Sequence, residues 1–210
     1  MFLSSDMPLN KKKILFFGDS ITEMGVNKGG YIDKINDAIL KANKSDIYEL
    51  LGAGIGGNKV YDLYLRIESD VLDKKPDIVL IYVGINDIWH KTSGIGTDIE
   101  KYEQFYRGIL KKLIDKGITA IVCTPGVIGE NPNDANPQDE DLNAYSDIIR
   151  KLSKEYRIEL VDLRNAFAKY ESDHNSENLF QGLLTTDGVH LSDAGNQMVA
   201  DEMLKILKIL

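Results

Sequence analysis

KILFFGDSITEMG, residues 13–25, passes from an unbroken apolar run into polar sequence at Gly18 and Asp19. An apolar run that is continuous, not alternating, is typical of a parallel strand buried on both faces. Such a strand would hold the hydroxyl of Ser20 at the carboxyl edge of a sheet, where ligands bind. Taken alone, a serine at this position is better explained as a helix N-cap.

Four further apolar runs follow the first, and longer amphipathic segments separate them. The predicted strands are 13–19, 47–53, 77–84, 118–125 and 158–163, and the predicted helices are 31–44, 59–75, about 99–116, 141–157 and 192–210. This alternation predicts an α/β fold, with a parallel sheet, right-handed crossovers and helices on both faces. Two polar segments, 126–141 and 171–186, are predicted to be loops near the pocket.

The composition is that of a single domain over residues 1–210, with its core from about residue 12. The net charge of −8 argues against nucleic acid or an anionic membrane as partner, because both need clustered Lys and Arg. No apolar run approaches the ~20 residues of a membrane span. The single cysteine, Cys123, is expected in the core, without a disulfide or a multi-cysteine metal site. We expect a cytoplasmic protein, or a secreted or periplasmic one if a leader has been removed.

The stretch LLGAGIGGNKV, residues 50–60, contains Gly52, Gly54 and Gly57 in the G-x-G-x-x-G pattern of dinucleotide-binding loops. That pattern belongs after the first strand, with an acidic residue at the tip of the next one. Here it follows the second strand, and Asp77 lies at the wrong end of the third. A nucleotide- or flavin-binding loop is therefore an alternative interpretation, beside an oxyanion site or a helix start that tolerates glycine.

A serine nucleophile needs a base within hydrogen-bond reach and a third group that orients the base. His190 lies in TTDGVHLSDAG, three residues after Asp187, a spacing that can bring the carboxylate beside the imidazole. The alternative is a turn in which Asp187 caps and His190 is solvated. His90 is a rival base or a pocket-lining residue, and His174 is expected to be exposed.

The third predicted strand ends in GIND, residues 84–87. The side-chain N–H of Asn86 is a suitable donor to negative charge on a carbonyl oxygen, as are the main-chain N–H groups of Ser20 and Gly57. Three such donors at neighbouring strand ends make an oxyanion hole plausible. The alternative is that Asn86 and Asp87 cap the next turn.

GDSIT, GIGGN, GIND and DGVH occur in the order of the four sequence blocks of the SGNH, or GDSL-type, hydrolases, which this chain resembles. The resemblance spans residues 18–190. It implies a three-layer, flavodoxin-like α/β/α fold with a five-stranded parallel sheet in the order 2-1-3-4-5. It also implies a nucleophile at Ser20, a base at His190 oriented by Asp187, and an oxyanion hole from Ser20, Gly57 and Asn86. Departures from the family pattern fall at Gly52, Asn58 and Lys59, none of which carries the chemistry.

The resemblance implies a serine esterase that forms an acyl-enzyme, with a small-molecule ester as substrate and no metal or organic cofactor. We expect a short acyl chain, or an O-acetyl group on a small or carbohydrate substrate. A lysophospholipase or thioesterase is the alternative within the class, and a non-catalytic binding module the alternative outside it. The sequence does not define an oligomeric state. The expected pocket residues are Asp19, Met24, Trp89, His90 and Val189.

Overall fold

Five parallel strands form the centre of the computed structural model, which describes residues 11–209. The sheet order is β2-β1-β3-β4-β5, as the family resemblance implied. The strands are β1 (Lys12–Gly18), β2 (Tyr48–Gly54), β3 (Ile78–Tyr82), β4 (Thr119–Cys123) and β5 (Glu159–Val161).

The register of the sheet brings the carboxyl ends of the central strands to one edge. Gly18, the last residue of β1, pairs with Gly54 of β2 on one side and Tyr82 of β3 on the other. Tyr82 in turn pairs with Cys123, the last residue of β4. Residues that follow these strands therefore meet above the same edge, which is where an open parallel sheet binds its ligands.

Within residues 11–209, eight α-helices connect and cover the strands. Helix α2 packs against α8, while α5 packs against both α3 and α6, so that the sheet is the middle one of three layers. The helices are α1 (Ser20–Gly25), α2 (Tyr31–Lys41), α3 (Val60–Asp70), α4 (Ile85–Trp89), α5 (Ile99–Asp115), α6 (Asp139–Tyr156), α7 (Leu163–His174) and α8 (Asp193–Leu207). No helix within residues 11–209 is both long enough and apolar enough to cross a membrane.

The structure corrects the sequence interpretation in several places. The prediction that all strands are buried on both faces is wrong for the two edge strands: β2 is mostly half-buried, and only one of the three residues of β5 is buried. Helix α7 was not predicted, because its buried stripe includes the charged Arg164 and Glu171 beside Leu163 and Phe167. The first polar segment ends earlier than predicted, since α6 begins at Asp139.

Cys123 lies in the core, as predicted. Its side chain is completely buried at the end of β4. Burial raises the pKa of the thiol far above its usual range, because the thiolate would lose its hydration. The thiol is therefore an apolar packing group and not a nucleophile.

Candidate active site

Ser20 begins α1 directly above the end of β1. Asp19 is the N-cap of this helix, and its side chain accepts a hydrogen bond of 3.0 Å from the main-chain N–H of Ile21. The capping role is thus filled by Asp19, which leaves the hydroxyl of Ser20 free for another partner. A Cβ at Gly18 would lie 2.4 Å from the carbonyl oxygen of Tyr82, so the strand end packs too closely for any larger residue.

The partner of Ser20 is His190. The hydroxyl oxygen lies 3.0 Å from Nε2 of the imidazole, and Nδ1 lies 2.7 Å from a carboxylate oxygen of Asp187. A proton on Nδ1 that is donated to Asp187 leaves Nε2 as the acceptor for the hydroxyl proton of Ser20. The three side chains therefore form a continuous hydrogen-bonded chain from Ser20 through His190 to Asp187.

Asp187 is held by its own turn. Its second carboxylate oxygen accepts main-chain hydrogen bonds from Val189 (2.9 Å) and His190 (2.7 Å). Partial burial acts to raise the pKa of Asp187, but these hydrogen bonds and the one from the imidazole outweigh it, and the net pKa is lowered. Asp187 is consequently ionised at neutral pH and orients the imidazole.

Asn86 and Gly57 approach the same edge of the sheet. The buried Asn86 side chain donates one hydrogen bond of 3.1 Å to the carbonyl of Asn58, which leaves its second N–H available. Gly57 has φ +75°, in the left-handed region that favours glycine. A Cβ at the adjacent Gly56 would lie 4.0 Å from Cβ of Ser20, which places this loop beside the hydroxyl.

Packing requires two of the three glycines that give residues 52–57 the pattern of a dinucleotide-binding loop. A Cβ at Gly54 would lie 2.0 Å from the main-chain nitrogen of Glu23, and one at Gly52 would lie 2.3 Å from the side chain of Val26. Both glycines therefore let β2 pack against α1 and the residue that follows it. Packing of β2 on α1 therefore accounts for these two glycines.

Two buried carboxyl groups lie behind the site, Asp19 and Asp87. Burial raises the pKa of Asp19 to about 7, and the nearby Asp87 contributes to the shift. Burial likewise raises the pKa of Asp87 to about 6, although its carboxylate accepts from the main-chain N–H of Val60. Both of these carboxyl groups thus hold their protons up to nearly neutral pH.

Trp89 lies at the rim of the site. The residue is 36% exposed, and its ring stands nearly perpendicular to that of His190, with centroids 6.4 Å apart. His90 stacks on Trp89, with ring centroids 5.8 Å apart, so it lies beside the rim. The imidazole that is hydrogen-bonded to Ser20 is that of His190, not that of His90. Burial, aided by the charge of Lys59, lowers the pKa of His90.

The other two predicted pocket residues differ in exposure. Met24 is exposed on α1, whereas Val189 is buried between Asp187 and His190. Val189 contributes its main-chain N–H to Asp187. Its role in the structure is therefore to shape the turn.

Two charged residues that hold the site together belong to no motif in the sequence. Arg66, on α3, donates to the carbonyls of Gly18 (2.8 Å) and Ala53 (3.0 Å) at the ends of β1 and β2. Glu130, in the loop after β4, is completely buried and accepts hydrogen bonds from the segment that precedes Asp187. The one local signal for Glu130 is an acid that directly follows the apolar stretch PGVIG.

Comparison with known proteins agrees with this geometry. The chain is 29% identical to an acetylxylan esterase of Geobacillus stearothermophilus, over 92% of this chain and 93% of the relative. It is 26% identical to an isoamyl acetate-hydrolyzing esterase of Saccharomyces cerevisiae, over 95% and 87% of the two chains. The crystal structure of the acetyl xylan esterase AlAXEase matches with a TM-score of 0.91 and 52% identity, over 92% of this chain and 98% of that one.

The strongest evidence of family comes from the extent of the family match. The model of the GDSL-like lipase/acylhydrolase family matches residues 16–198, which include every motif residue described above. This chain belongs to the GDSL-like lipase/acylhydrolase family and is a serine ester hydrolase.

Proposed function

We propose that this enzyme removes acetyl groups from an acetylated carbohydrate through an acyl-enzyme on Ser20. The observation that carries the proposal is the hydrogen-bonded chain from Ser20 through His190 to Asp187. The remaining support is the similarity to two proteins described as acetyl xylan esterases.

The first half of the reaction acylates Ser20. Nε2 of His190 takes the hydroxyl proton while the oxygen attacks the ester carbonyl carbon, and the carbonyl oxygen becomes an oxyanion. Asp187 stabilises the imidazolium that forms. The imidazolium then gives its proton to the sugar oxygen, which leaves as an alcohol, and acetyl stays on Ser20.

The second half repeats the attack with water. His190 removes a proton from a water molecule, whose oxygen attacks the acetyl carbonyl carbon. The tetrahedral intermediate collapses, the proton returns to the Ser20 oxygen, and acetic acid is released. We assign the oxyanion in both halves to the main-chain N–H groups of Ser20 and Gly57 and the free side-chain N–H of Asn86.

The substrate preference rests on the rim of the site as well as on the relatives. The exposed face of Trp89 beside His190 suits the apolar face of a sugar ring. The polar loop of residues 126–138 offers no long apolar stretch to hold a fatty acyl chain. A lysophospholipase or thioesterase is the second candidate, which the chain-length series below separates from the first.

The test compares wild type with Ser20→Ala, and with Ser176→Ala as the matched control at an exposed serine. We expect wild type and the control to hydrolyse p-nitrophenyl acetate faster than the butyrate and octanoate esters, and to release acetate from acetylated xylo-oligosaccharide. Ser20→Ala should lose both activities and its labelling by a serine-directed fluorophosphonate. Labelling that persists in Ser20→Ala would refute the assigned nucleophile, and rates that rise with acyl length would favour the second candidate.

Two further statements from the sequence belong to the proposal. We infer that residues 1–210 act as one domain, which the single sheet and its shared core support. We also infer a cytoplasmic location, with a secreted or periplasmic one as the alternative. Cell fractionation of the natural host, with an antibody to this protein, tests the location.

A further inference from the structure

Glu130 occupies an unusual position for an acidic side chain. It is completely buried, and within residues 11–209 no Lys, Arg or His nitrogen forms an ion pair with it. Instead, its carboxylate accepts from the main-chain N–H groups of Leu183 (2.9 Å), Leu184 (3.1 Å) and Thr185, and from the hydroxyl of Thr185. Four donors of one short segment thus converge on a single carboxylate.

The hydroxyl of Thr185 extends this contact towards the active site. It donates to Glu130 and at the same time accepts from the main-chain N–H of Gly188, at 3.1 Å. The carbonyl of Gly188 accepts from the N–H of Gly129, at 2.8 Å. Gly188 lies directly after Asp187. Its N–H is held by the Thr185 hydroxyl, which is bound to Glu130, and its carbonyl is held by Gly129, the residue before Glu130.

A further hydrogen bond joins the two ends of the turn that carries Asp187 and His190. The main-chain N–H of Thr186 donates to the carbonyl of His190 at 2.8 Å. Residues 186–190 therefore form a closed turn. Thr185, the residue directly before this turn, is hydrogen-bonded to Glu130. A nucleophile and its base react fast only when they are held in a productive geometry, and a misplacement of 1 Å can cost about 100-fold in rate.

We propose that Glu130 is a positioning residue, which acts through the Thr185 hydroxyl to set the place of Asp187 and His190 relative to Ser20. This inference rests on the proposed function, because it assigns Glu130 a part in the same reaction. It adds to that function a buried acidic side chain, far from the motifs in the sequence, that hydrogen-bonds to none of the three triad side chains.

The test removes the relay hydroxyl with Thr185→Val, which keeps the shape of the side chain. Thr124 supplies a matched control, because its hydroxyl is equally buried, donates to a carboxylate (Asp162, 3.3 Å) and accepts from a main-chain N–H (Arg164, 2.8 Å). Thr124→Val therefore deletes the same set of contacts away from the residue 186–190 turn. Thr185→Ser restores the hydroxyl and serves as the rescue.

We expect kcat for p-nitrophenyl acetate to fall about 10- to 100-fold in Thr185→Val, with KM changed less than about 3-fold. Thr124→Val should keep kcat within about 3-fold of wild type at a similar loss of thermal stability, and Thr185→Ser should recover most of the rate. The acid limb of the pH profile of kcat/KM should also move in Thr185→Val, because the contact between Asp187 and the imidazole is loosened.

Each failure of the test has a different meaning. Equal kcat in the two valine variants, or no recovery in Thr185→Ser, would overturn the positioning role, while the proposed function would stand on wild-type turnover that requires Ser20. A wild type that neither hydrolyses esters nor reacts with the fluorophosphonate would overturn the proposed function itself. Glu130→Gln is a second variant for the same test. One of the four donors then faces an amide N–H in place of a carboxylate oxygen, so we expect kcat to fall in this variant too.

Discussion

Trp89 is the residue through which substrate binding can be observed directly. It is the single tryptophan of the chain, so the intrinsic tryptophan fluorescence comes from one side chain at the rim of the site. Its ring lies beside those of both His90 and His190, and about a third of the residue is exposed to solvent. A sugar that packs on this ring would displace that solvent, and the emission would change with it.

Titration of Ser20→Ala with acetylated xylo-oligosaccharide should therefore shift the emission of Trp89 in a saturable way, while sucrose at equal concentration should not. Trp89→Phe should raise KM for the oligosaccharide ester about 3-fold or more, with KM for p-nitrophenyl acetate little changed, because the smaller ring offers less area to a sugar. Equal effects on the two substrates would contradict a sugar-binding role for the ring.

Among the elements, α3 connects two strand ends with the loop that carries Gly57 through the side chain of Arg66. The guanidinium of Arg66 donates to the carbonyls of Gly18 and Ala53 and to the side chain of Asn58, at 2.8–3.0 Å. Three donors in a rigid plane match three acceptors that a single ammonium does not reach together. The position of the glycine loop over Ser20 thus depends on one side chain of a neighbouring helix.

We expect Arg66→Lys to lower the free energy of unfolding by about 1–3 kcal/mol, because it leaves carbonyl oxygens without their donors. Arg107→Lys on α5 is the matched control, since Arg107 pairs with Glu103 and Glu155 at the surface and its loss should cost less than about 1 kcal/mol. Urea denaturation at neutral pH measures both. Similar losses in the two variants would show that the contacts of Arg66 do not stabilise the strand ends.

The sequence predicted those elements whose buried positions repeat regularly. All five strands were predicted to within three residues, because each is a short apolar run between polar segments. Helices α1 and α4 span six and five residues, which is too short for a helical period to show. Helix α7 was missed because Arg164 and Glu171, both charged, occupy buried positions of its stripe.

The same reasoning separates the site residues that were found from those that were missed. Ser20, Asp187 and His190 stand in short motifs, and their residue types already indicate the chemistry. Arg66 and Glu130 act through partners that lie 48 and 53 residues away along the chain. No local pattern records such a contact, so the parts of the site that support its motifs became visible only in the fold.

For the whole molecule, two helix N-caps give opposite pH dependences of stability. Asp19 caps α1 and Asp162 caps α7, each through a side-chain hydrogen bond from a main-chain N–H. Burial raises the pKa of Asp19 to about 7. Partial burial acts in the same direction at Asp162, but the hydrogen bond and charge of Arg150 outweigh it and lower the pKa of that carboxyl.

The sign of each effect follows from which state binds the proton. Between about pH 4 and pH 7 the folded protein keeps a proton on Asp19 that the unfolded chain releases, so this group makes stability fall as pH rises. Above pH 7 the cost is constant, and a shift of about three pKa units corresponds to about 4 kcal/mol. Asp162 does the reverse, since its contribution is present above about pH 4 and is lost as pH falls through its lowered pKa.

Asp19→Asn keeps the capping oxygen and removes the ionisation. We therefore expect it to match wild type near pH 4 and to exceed the wild-type free energy of unfolding at pH 8, by up to about 4 kcal/mol. Asp162→Asn, the same substitution at the other cap, should instead be less stable than wild type at pH 8 and approach it below about pH 4. Denaturant titrations at pH 4, 6 and 8 decide the matter: an Asp19→Asn variant that is less stable than wild type at pH 8 would show that the buried Asp19 carboxyl does not hold its proton to neutral pH, because only a raised pKa makes the neutral amide the more stable group.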